Sequence, residues 1–215
     1  RFCCAFLMTL LQSGLAKSLV SDYTIDQSLR FDVGDDAYLS RTFGSGNRKT
    51  YTFSFWMKGT LADATYEGFI FSSAESGSGA ANTMLLYLNI LTDNTIKIAH
   101  DSGLFLRTTQ VFRDPSAWYH IIMAVDTTQS VEANRIKLYA NGEQITAFST
   151  ESYPAEDADT GINAAEPHYV CTNWSAAADK VFNGYLAEVY FIDGLQLTPS
   201  DFGETDDTTN QWKPK

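Results

Sequence analysis

The feature of the sequence that most limits its fold is a succession of short apolar segments with a repeat of two residues. The clearest is YTFSFWMKG (51–59), in which Tyr51, Phe53, Phe55 and Met57 share one face and the residues between them share the other. A period of two predicts a strand with one core face. Similar segments recur along the chain, separated by turns rich in Gly, Ser, Asp and Asn.

Two local signals fix turns between these segments. In NRIKLYANGEQI (134–145), strand-like runs flank Asn141-Gly142, a pair whose tolerance of positive φ predicts a tight type I′ hairpin. In Thr198-Pro199-Ser200-Asp201, an N-cap residue followed by Pro predicts one short helical turn. Roughly ten to twelve short strands with almost no helix predict an all-β, two-sheet antiparallel sandwich or jelly roll.

The chain is predicted to form one domain, residues 28–204, with an N-terminal arm (1–27) and a polar C-terminal tail (205–215). The arm has an apolar run from Phe2 to Leu11, which is too short to span a bilayer and has the outline of a secretory signal. Burying it recovers roughly 25 cal/mol per Å², so we expect it to pack on this domain or on a neighbouring subunit. Alternatively, Met8 is the true start of the protein.

Charge and cysteine content exclude several classes of function. Fifteen basic against 26 acidic residues give a net charge of −11, with no basic stripe, so nucleic acid and anionic membranes are poor partners. The three cysteines, Cys3, Cys4 and Cys171, have no CxxC spacing, which excludes a disulfide framework and a structural zinc site of the usual form. Three free thiols are favoured over a bridge from Cys171 to the N-terminus.

A set of motifs resembles a known family. The segments SLRFDVGDDAYLS, YTFSFWMKG, WYHIIMAVDTT, NRIKLYANGEQI and FNGYLAEVYFIDGLQLTPSDF occur in the order and spacing of laminin-G-like, concanavalin-A-like jelly rolls. The resemblance covers residues 28–204 and implies that fold, with the arm as an addition. Ala187 stands where the family is often acidic, and no residues match its calcium site well enough to be carried over.

The amino-acid sequences of several shorter segments resemble a narrower group, the structural and fibre proteins of tailed bacteriophages that are abundant in marine environments. These pieces are SLRF, YLSRT, GNRKT, TTQVFRDPSAWYH, FIDG, LTPSDFGE and QWKPK. The resemblance implies a non-enzymatic component of the virion surface, in the capsid or the tail, whose partners are other virion proteins, copies of itself and host-surface glycans. The alternatives are a secreted extracellular carbohydrate-binding lectin, for which calcium is optional, and, less favoured, a glycan hydrolase.

A catalytic site is not predicted. Glycosidases of sandwich fold place two carboxyl groups on one strand, and the candidates here are Glu188 and Asp193. Residues five apart face opposite sides of a regular strand, and Tyr190 occupies the position of the middle acid. A bulge could realign the pair, but we expect Glu188 to be a structural polar residue and Asp193 to begin a turn. His120, inside an apolar strand, is expected to be a core residue.

Two binding sites are candidates. The loop PAEDADTGINAAEPH (154–168) could offer calcium its oxygen ligands, although Gly161 stands where a third EF-hand ligand belongs and His168 stands at the twelfth position. A solvated acidic loop is the favoured alternative. The candidate metal ligands are Asp157, Asp159, Asn163 and Glu166.

A sugar would need an aromatic platform beside hydrogen-bonding groups. Trp174 and Asn173 with Tyr153 have this character, although the slightly favoured role of Trp174 is to cover the sandwich edge.

Overall fold

The structure, a computed structural model, describes residues 25–59, 67–73, 84–89, 93–100, 103–173 and 180–215. Residues 1–24 of the predicted N-terminal arm therefore lie outside the described residues. Trp174 lies outside them as well. The described chain is all-β, with short 3₁₀ turns at Val33–Asp35, Glu132–Asn134 and Pro199–Asp201. Its strands, β1 to β15 in chain order, are Leu29–Phe31, Leu39–Thr42, Thr50–Gly59, Gly68–Ser73, Met84–Asn89, Thr95–His100, Gly103–Val111, Tyr119–Asp126, Ile136–Ala140, Glu143–Ile145, Phe148–Glu151, Pro167–Val170, Gly184–Asp193, Gly203–Thr205 and Trp212–Pro214.

Two large sheets pack face to face. Sheet A has the strand order β1-β13-β3-β8-β9-β10, and sheet B has the order β11-β7-β6-β5-β4-β12-β2. Every strand pair described within them is antiparallel. The core between them includes Phe53 of sheet A, which stacks on Phe71 of sheet B with ring centroids 4.4 Å apart. The predicted antiparallel sandwich is confirmed.

Strand β3 has the predicted core face, but its second face is buried as well. Tyr51, Phe53, Phe55 and Met57 all lie in the main core. The intervening residues, predicted to face outward, are almost inaccessible too: Trp56 is 5% exposed, and Thr52 and Ser54 are fully buried. The physical reason is that the chain after β13 folds back over the outer face of sheet A, where Thr52 Oγ1 donates to Leu195 O at 2.7 Å.

Both predicted turns are confirmed. Asn141 and Gly142 have φ of 48° and 87°, and Ala140 pairs directly with Glu143, as a two-residue type I′ hairpin requires. The helical turn starts at Pro199 after Thr198, whose backbone and side chain both bond to the Asp201 carboxylate in a capping box.

Strand β13 contains a β-bulge. Leu186 lies opposite Met57 and Phe191 opposite Phe53, so both face the core although they are five residues apart. A regular strand would put them on opposite faces, and one extra residue between Ala187 and Tyr190 corrects the register. Glu188 takes the left-handed conformation, with φ of 47°. The bulge keeps Glu188 out of the core and turns Tyr190 to the outer face, opposite Ser54.

The segment predicted as a polar tail is folded. Strands β14 and β15, here called the C-terminal hairpin, pair from Gly203–Pro214 to Thr205–Trp212. Its anchor is Trp212, whose ring lies against Gly142 and Gly203: a Cβ atom at either glycine would fall within 2.6 Å of a ring carbon. Two glycines with no side chain thus form the slot that holds the indole, which composition alone did not reveal.

Candidate functional site

The loop predicted to bind calcium is built into the end of the sandwich. Ile162 is fully buried in the main core, and Thr160 exchanges backbone and side-chain hydrogen bonds with Arg48. The buried Tyr51 hydroxyl donates to Thr160 Oγ1 at 3.0 Å, and burial raises the pKa of Tyr51. Residues 160–164 of the loop are therefore packed into the fold, whereas the acidic side chains of Glu156, Asp157 and Asp159 are exposed to solvent.

The four predicted calcium ligands differ in burial and in their hydrogen-bonding or ionic partners. Asn163 is buried, and its Nδ2 donates to Asn47 O at 3.0 Å and to Asp193 Oδ1 at 2.6 Å. Asp157 is exposed and pairs with Lys49 Nζ at 3.2 Å, Asp159 is exposed, and Glu166 is half-buried. Over the described part of the chain, no three His, Cys, Asp or Glu side chains are grouped so that they could hold a metal ion.

Of the three residues predicted to bind sugar, the structure describes Tyr153 and Asn173, and these two follow strands that are well separated in sheet B. Tyr153 follows β11, at one edge of sheet B, and Asn173 follows β12, five strand positions away in the sheet order. At about 4.8 Å per strand, those positions are roughly 24 Å apart. The hydroxyl of Tyr153 donates to Glu151 Oε1 at 2.8 Å, and burial, with that bond, raises its pKa to about 12. Asn173 is buried, at 6% exposure.

His168 is buried and holds the loop 154–168 in place through a hydrogen bond to Asn163. Its Nε2 accepts the backbone N–H of Asn163 at 2.9 Å, so the proton resides on Nδ1, which donates to Glu166 O at 2.8 Å. Its ring stacks on Phe43 with centroids 4.1 Å apart. Burial lowers the pKa of His168. The histidine is neutral and has a structural role.

His120 is the buried core residue predicted from its strand. The indole N–H of Trp212 donates to Nδ1 at 2.9 Å, which leaves the proton on Nε2 to donate to Ser54 Oγ at 2.9 Å. Trp56 stacks on the imidazole ring, with centroids 4.9 Å apart. Burial lowers the pKa of His120 to about 4, so the imidazole is neutral in ordinary conditions.

The two carboxylates of β13 point to different regions. Glu188 accepts a hydrogen bond from the Tyr190 hydroxyl on the outer face of sheet A. Asp193 lies at the end of the strand, where its Oδ1 accepts from the Asn47 backbone N–H at 2.9 Å and from Asn163. The strand is not regular, because it carries the bulge, yet the bulge does not make these two carboxylates into a pair.

The bulge also creates a surface that the sequence reasoning missed. We call Glu188, Val189, Tyr190 and Leu195 the bulge surface: Tyr190 is 45% exposed, Val189 41% and Leu195 54%. Phe202 of the helical turn lies behind Tyr190, with ring centroids 6.1 Å apart. The signal that could have located it is the spacing of Leu186 and Phe191, two core residues that only a bulge can place on one face.

The fold is that of a lectin-like antiparallel sandwich of the concanavalin A type. The profile of the concanavalin A-like lectin/glucanases superfamily matches residues 32–201, and the chain belongs to this family. The domain is of the lectin and laminin G type, a type that is typically non-catalytic. Among the curated proteins, none matches this chain.

Solved structures share the fold at low sequence identity. The Ruminococcus gnavus IT-sialidase CBM40 has 13% identity and a TM-score of 0.51, with 81% of this chain and 95% of that chain covered. NanB, solved with Optactamide, has 10% identity and a TM-score of 0.55, covering 85% of this chain and 29% of that one. A native heptameric SAP-like pentraxin from Limulus polyphemus is a weaker match, with 15% identity and a TM-score of 0.48, covering 72% of this chain and 68% of that one.

Within the residues that the structure describes, no helix has the length and apolar character needed to cross a membrane.

Proposed function

We propose that this protein is a non-enzymatic component of a virion surface, in the capsid or the tail, whose lectin-like domain serves assembly, stability or adhesion to the host. Two lines of support combine. The family is one of lectin-like sandwiches. The short sequence segments from SLRF to QWKPK resemble those of structural proteins of tailed bacteriophages. Its partners are then other virion proteins, copies of itself and host-surface glycans.

The observation that carries the non-enzymatic part is how the reactive side chains are used. Both nitrogens of His120 and both of His168 are hydrogen-bonded within the fold, and each ring is held neutral. Asp193 accepts two hydrogen bonds that tie loops together at the sandwich end. Groups engaged in this way hold structure rather than transfer protons to a substrate.

The virion role is tested on particles. An antiserum raised against the purified chain is used to follow the protein through a density gradient of phage particles from the source culture. We expect the protein to sediment with intact particles and to remain with them after a high-salt wash. Recovery only in the soluble fractions would contradict the virion role and favour the alternative, a secreted lectin.

Both candidate sites stay proposals. The calcium candidates are Asp157, Asp159, Asn163 and Glu166, and the sugar candidates are Asn173, Trp174 and Tyr153. A binding assay with and without EDTA tests the first set, because removal of calcium would abolish binding that depends on it. Alanine variants of Trp174 and Tyr153 test the second set separately, since Tyr153 and Asn173 follow strands that are five positions apart in the order of sheet B.

A further inference from the structure

The bulge surface combines an exposed aromatic ring with a carboxylate on one face of the sandwich. The extra residue in β13 turns Tyr190 outward, where the ring is 45% exposed beside Val189. The Glu188 carboxylate accepts the hydroxyl of Tyr190, so the two side chains hold each other in place. The left-handed backbone conformation of Glu188 belongs to the bulge, which sets the direction of both side chains.

The ring of Tyr190 has a firm support. Phe202 lies behind it at a centroid distance of 6.1 Å and an interplanar angle of 31°. Phe202 in turn packs against a buried cluster on the outer face of sheet A, formed by Ile122, Ala124 and Tyr139. An aromatic ring held in this way loses little conformational freedom when a ligand stacks on it, which favours binding.

The chemistry of this surface selects the class of ligand. The face of a pyranose that carries C–H groups packs on an aromatic ring, and its hydroxyl groups donate hydrogen bonds to nearby acceptors. The carboxylate of Glu188 is an acceptor with two oxygens, the kind of group to which sugar hydroxyls donate. The negative charge of Glu188 and the net charge of −11 disfavour acidic sugars.

We propose that the bulge surface is a binding site for neutral hexopyranose glycans, with Tyr190 as the stacking platform and Glu188 as the acceptor for sugar hydroxyls. The site uses no metal ion, because side chains make the contacts directly. The proposal rests on the lectin-like function proposed above and adds to it the location and the ligand class.

The experiment measures binding of the full chain to immobilised gluco-, galacto- and manno-tetrasaccharides and to sialylated lactose, with and without EDTA. Affinity for the best neutral tetrasaccharide is then measured by calorimetry for four variants. Tyr190→Ala removes the platform, Tyr190→Phe keeps the ring, and Glu188→Gln removes the charge. Tyr38→Ala is the matched control, since Tyr38 is also a surface tyrosine, 41% exposed, which lies beside Tyr169 of sheet B.

We expect binding to neutral tetrasaccharides that EDTA does not change. Tyr190→Ala should weaken it by about tenfold or more and Glu188→Gln by about fivefold, whereas Tyr190→Phe and Tyr38→Ala should stay within about twofold. Melting temperatures identify any variant that fails to fold, in which case Tyr190→Leu, which keeps apolar bulk against Phe202, replaces Tyr190→Ala.

Three outcomes would overturn the proposal. Binding that is equal in all four variants would move the site elsewhere, and binding restricted to sialylated lactose or lost in EDTA would refute the ligand class. A chain that binds no glycan but sediments with particles would refute this site alone and leave the virion role in place. Failure of the proposed function shows instead as absence from the particles.

Discussion

At the scale of single residues, His120 shows how the fold fixes a titratable group. The Trp212 indole N–H can donate only to a ring nitrogen that has no proton, so this hydrogen bond exists only while His120 is neutral. The groups around the ring, Ser54, Trp56, Trp212 and Phe202, carry no charge that would compensate a proton.

We therefore expect the free energy of unfolding to fall as the pH drops from 7 to 5. The pKa of His120 is about 4 in the folded protein against 6.5 in the unfolded chain, so the unfolded state takes up the proton first. The stability is fully present above pH 6.5 and is lost between there and pH 4. The loss from His120 alone should be roughly 2 kcal/mol between pH 7 and pH 5, measured by urea unfolding at each pH.

The control is His120→Gln, whose amide can accept from Trp212 and donate to Ser54 but cannot titrate. Its stability should change less between pH 7 and pH 5 than that of the natural protein. His168, whose pKa burial also lowers, contributes to the remaining slope. Carboxylates such as Asp206, whose pKa is lowered to about 2 by hydrogen bonds from Thr209 and Thr208 and then by Lys213, contribute mainly below this window. Equal slopes in the two proteins would contradict the role given to His120.

At the scale of elements, the C-terminal hairpin depends on two glycines. In Gly203→Ala, the new Cβ would lie 2.5 Å from a ring carbon of Trp212 and 2.8 Å from the Lys213 carbonyl oxygen, so the ring or the strand must move. We expect a loss of about 1–3 kcal/mol, the usual cost of overpacking, measured by thermal unfolding.

The matched control for that change is Gly59→Ala in β3, where an added Cβ would have no heavy atom of the described residues within 4 Å. We expect this variant to be as stable as the natural protein or slightly more stable, because alanine has less backbone entropy to lose. Equal destabilisation by both changes would show that the slot around Trp212 does not hold the hairpin.

The bulge in β13 gives a second prediction at this scale. Glu188 has a φ of 47°, a conformation that costs an L-residue about 1–2 kcal/mol, whereas glycine adopts it freely but loses more entropy on folding. Glu188→Gly should therefore leave stability unchanged or raise it by up to about 1 kcal/mol. Arg41→Gly, at an exposed position of β2, should instead destabilise by roughly 0.5–1 kcal/mol. A clear loss of stability in Glu188→Gly would contradict the assigned conformation.

If the bulge surface binds glycan, Glu188→Gly should also weaken that binding while it preserves the fold. Stability and binding would then change in opposite directions at one residue. That pattern is expected where a strained conformation is retained for function. The measurement is calorimetric titration of the variant with the best neutral tetrasaccharide, beside its urea unfolding curve.

At the scale of the whole molecule, local patterns predicted the strands and turns well but not the proximity of distant residues. The alternation in 51–59 and the Asn141-Gly142 pair are local signals, and both are confirmed. Tyr153 and Asn173 are only twenty residues apart in the sequence, yet the strand order puts them near opposite edges of sheet B. Strand order depends on contacts between distant segments, which no local period encodes.

The burial of both faces of β3 also depends on contacts between segments that are distant in the sequence. A polar segment such as 205–215 gives no sign from its composition that one indole will fit between two glycines from different hairpins. The bulge is an intermediate case. The five-residue spacing of Leu186 and Phe191 predicts it, but only when both residues are known to face the core.

This lectin-like domain is proposed to bind glycans without cleaving them. The most direct test is to incubate the purified chain with the neutral tetrasaccharides for a day and to record ligand-detected NMR throughout, which reports binding and anomeric protons in one sample. We expect a constant binding signal that Tyr190→Ala removes, with no new reducing ends. New anomeric signals that grow with time and disappear in Glu188→Gln would contradict the claim and identify a glycan hydrolase.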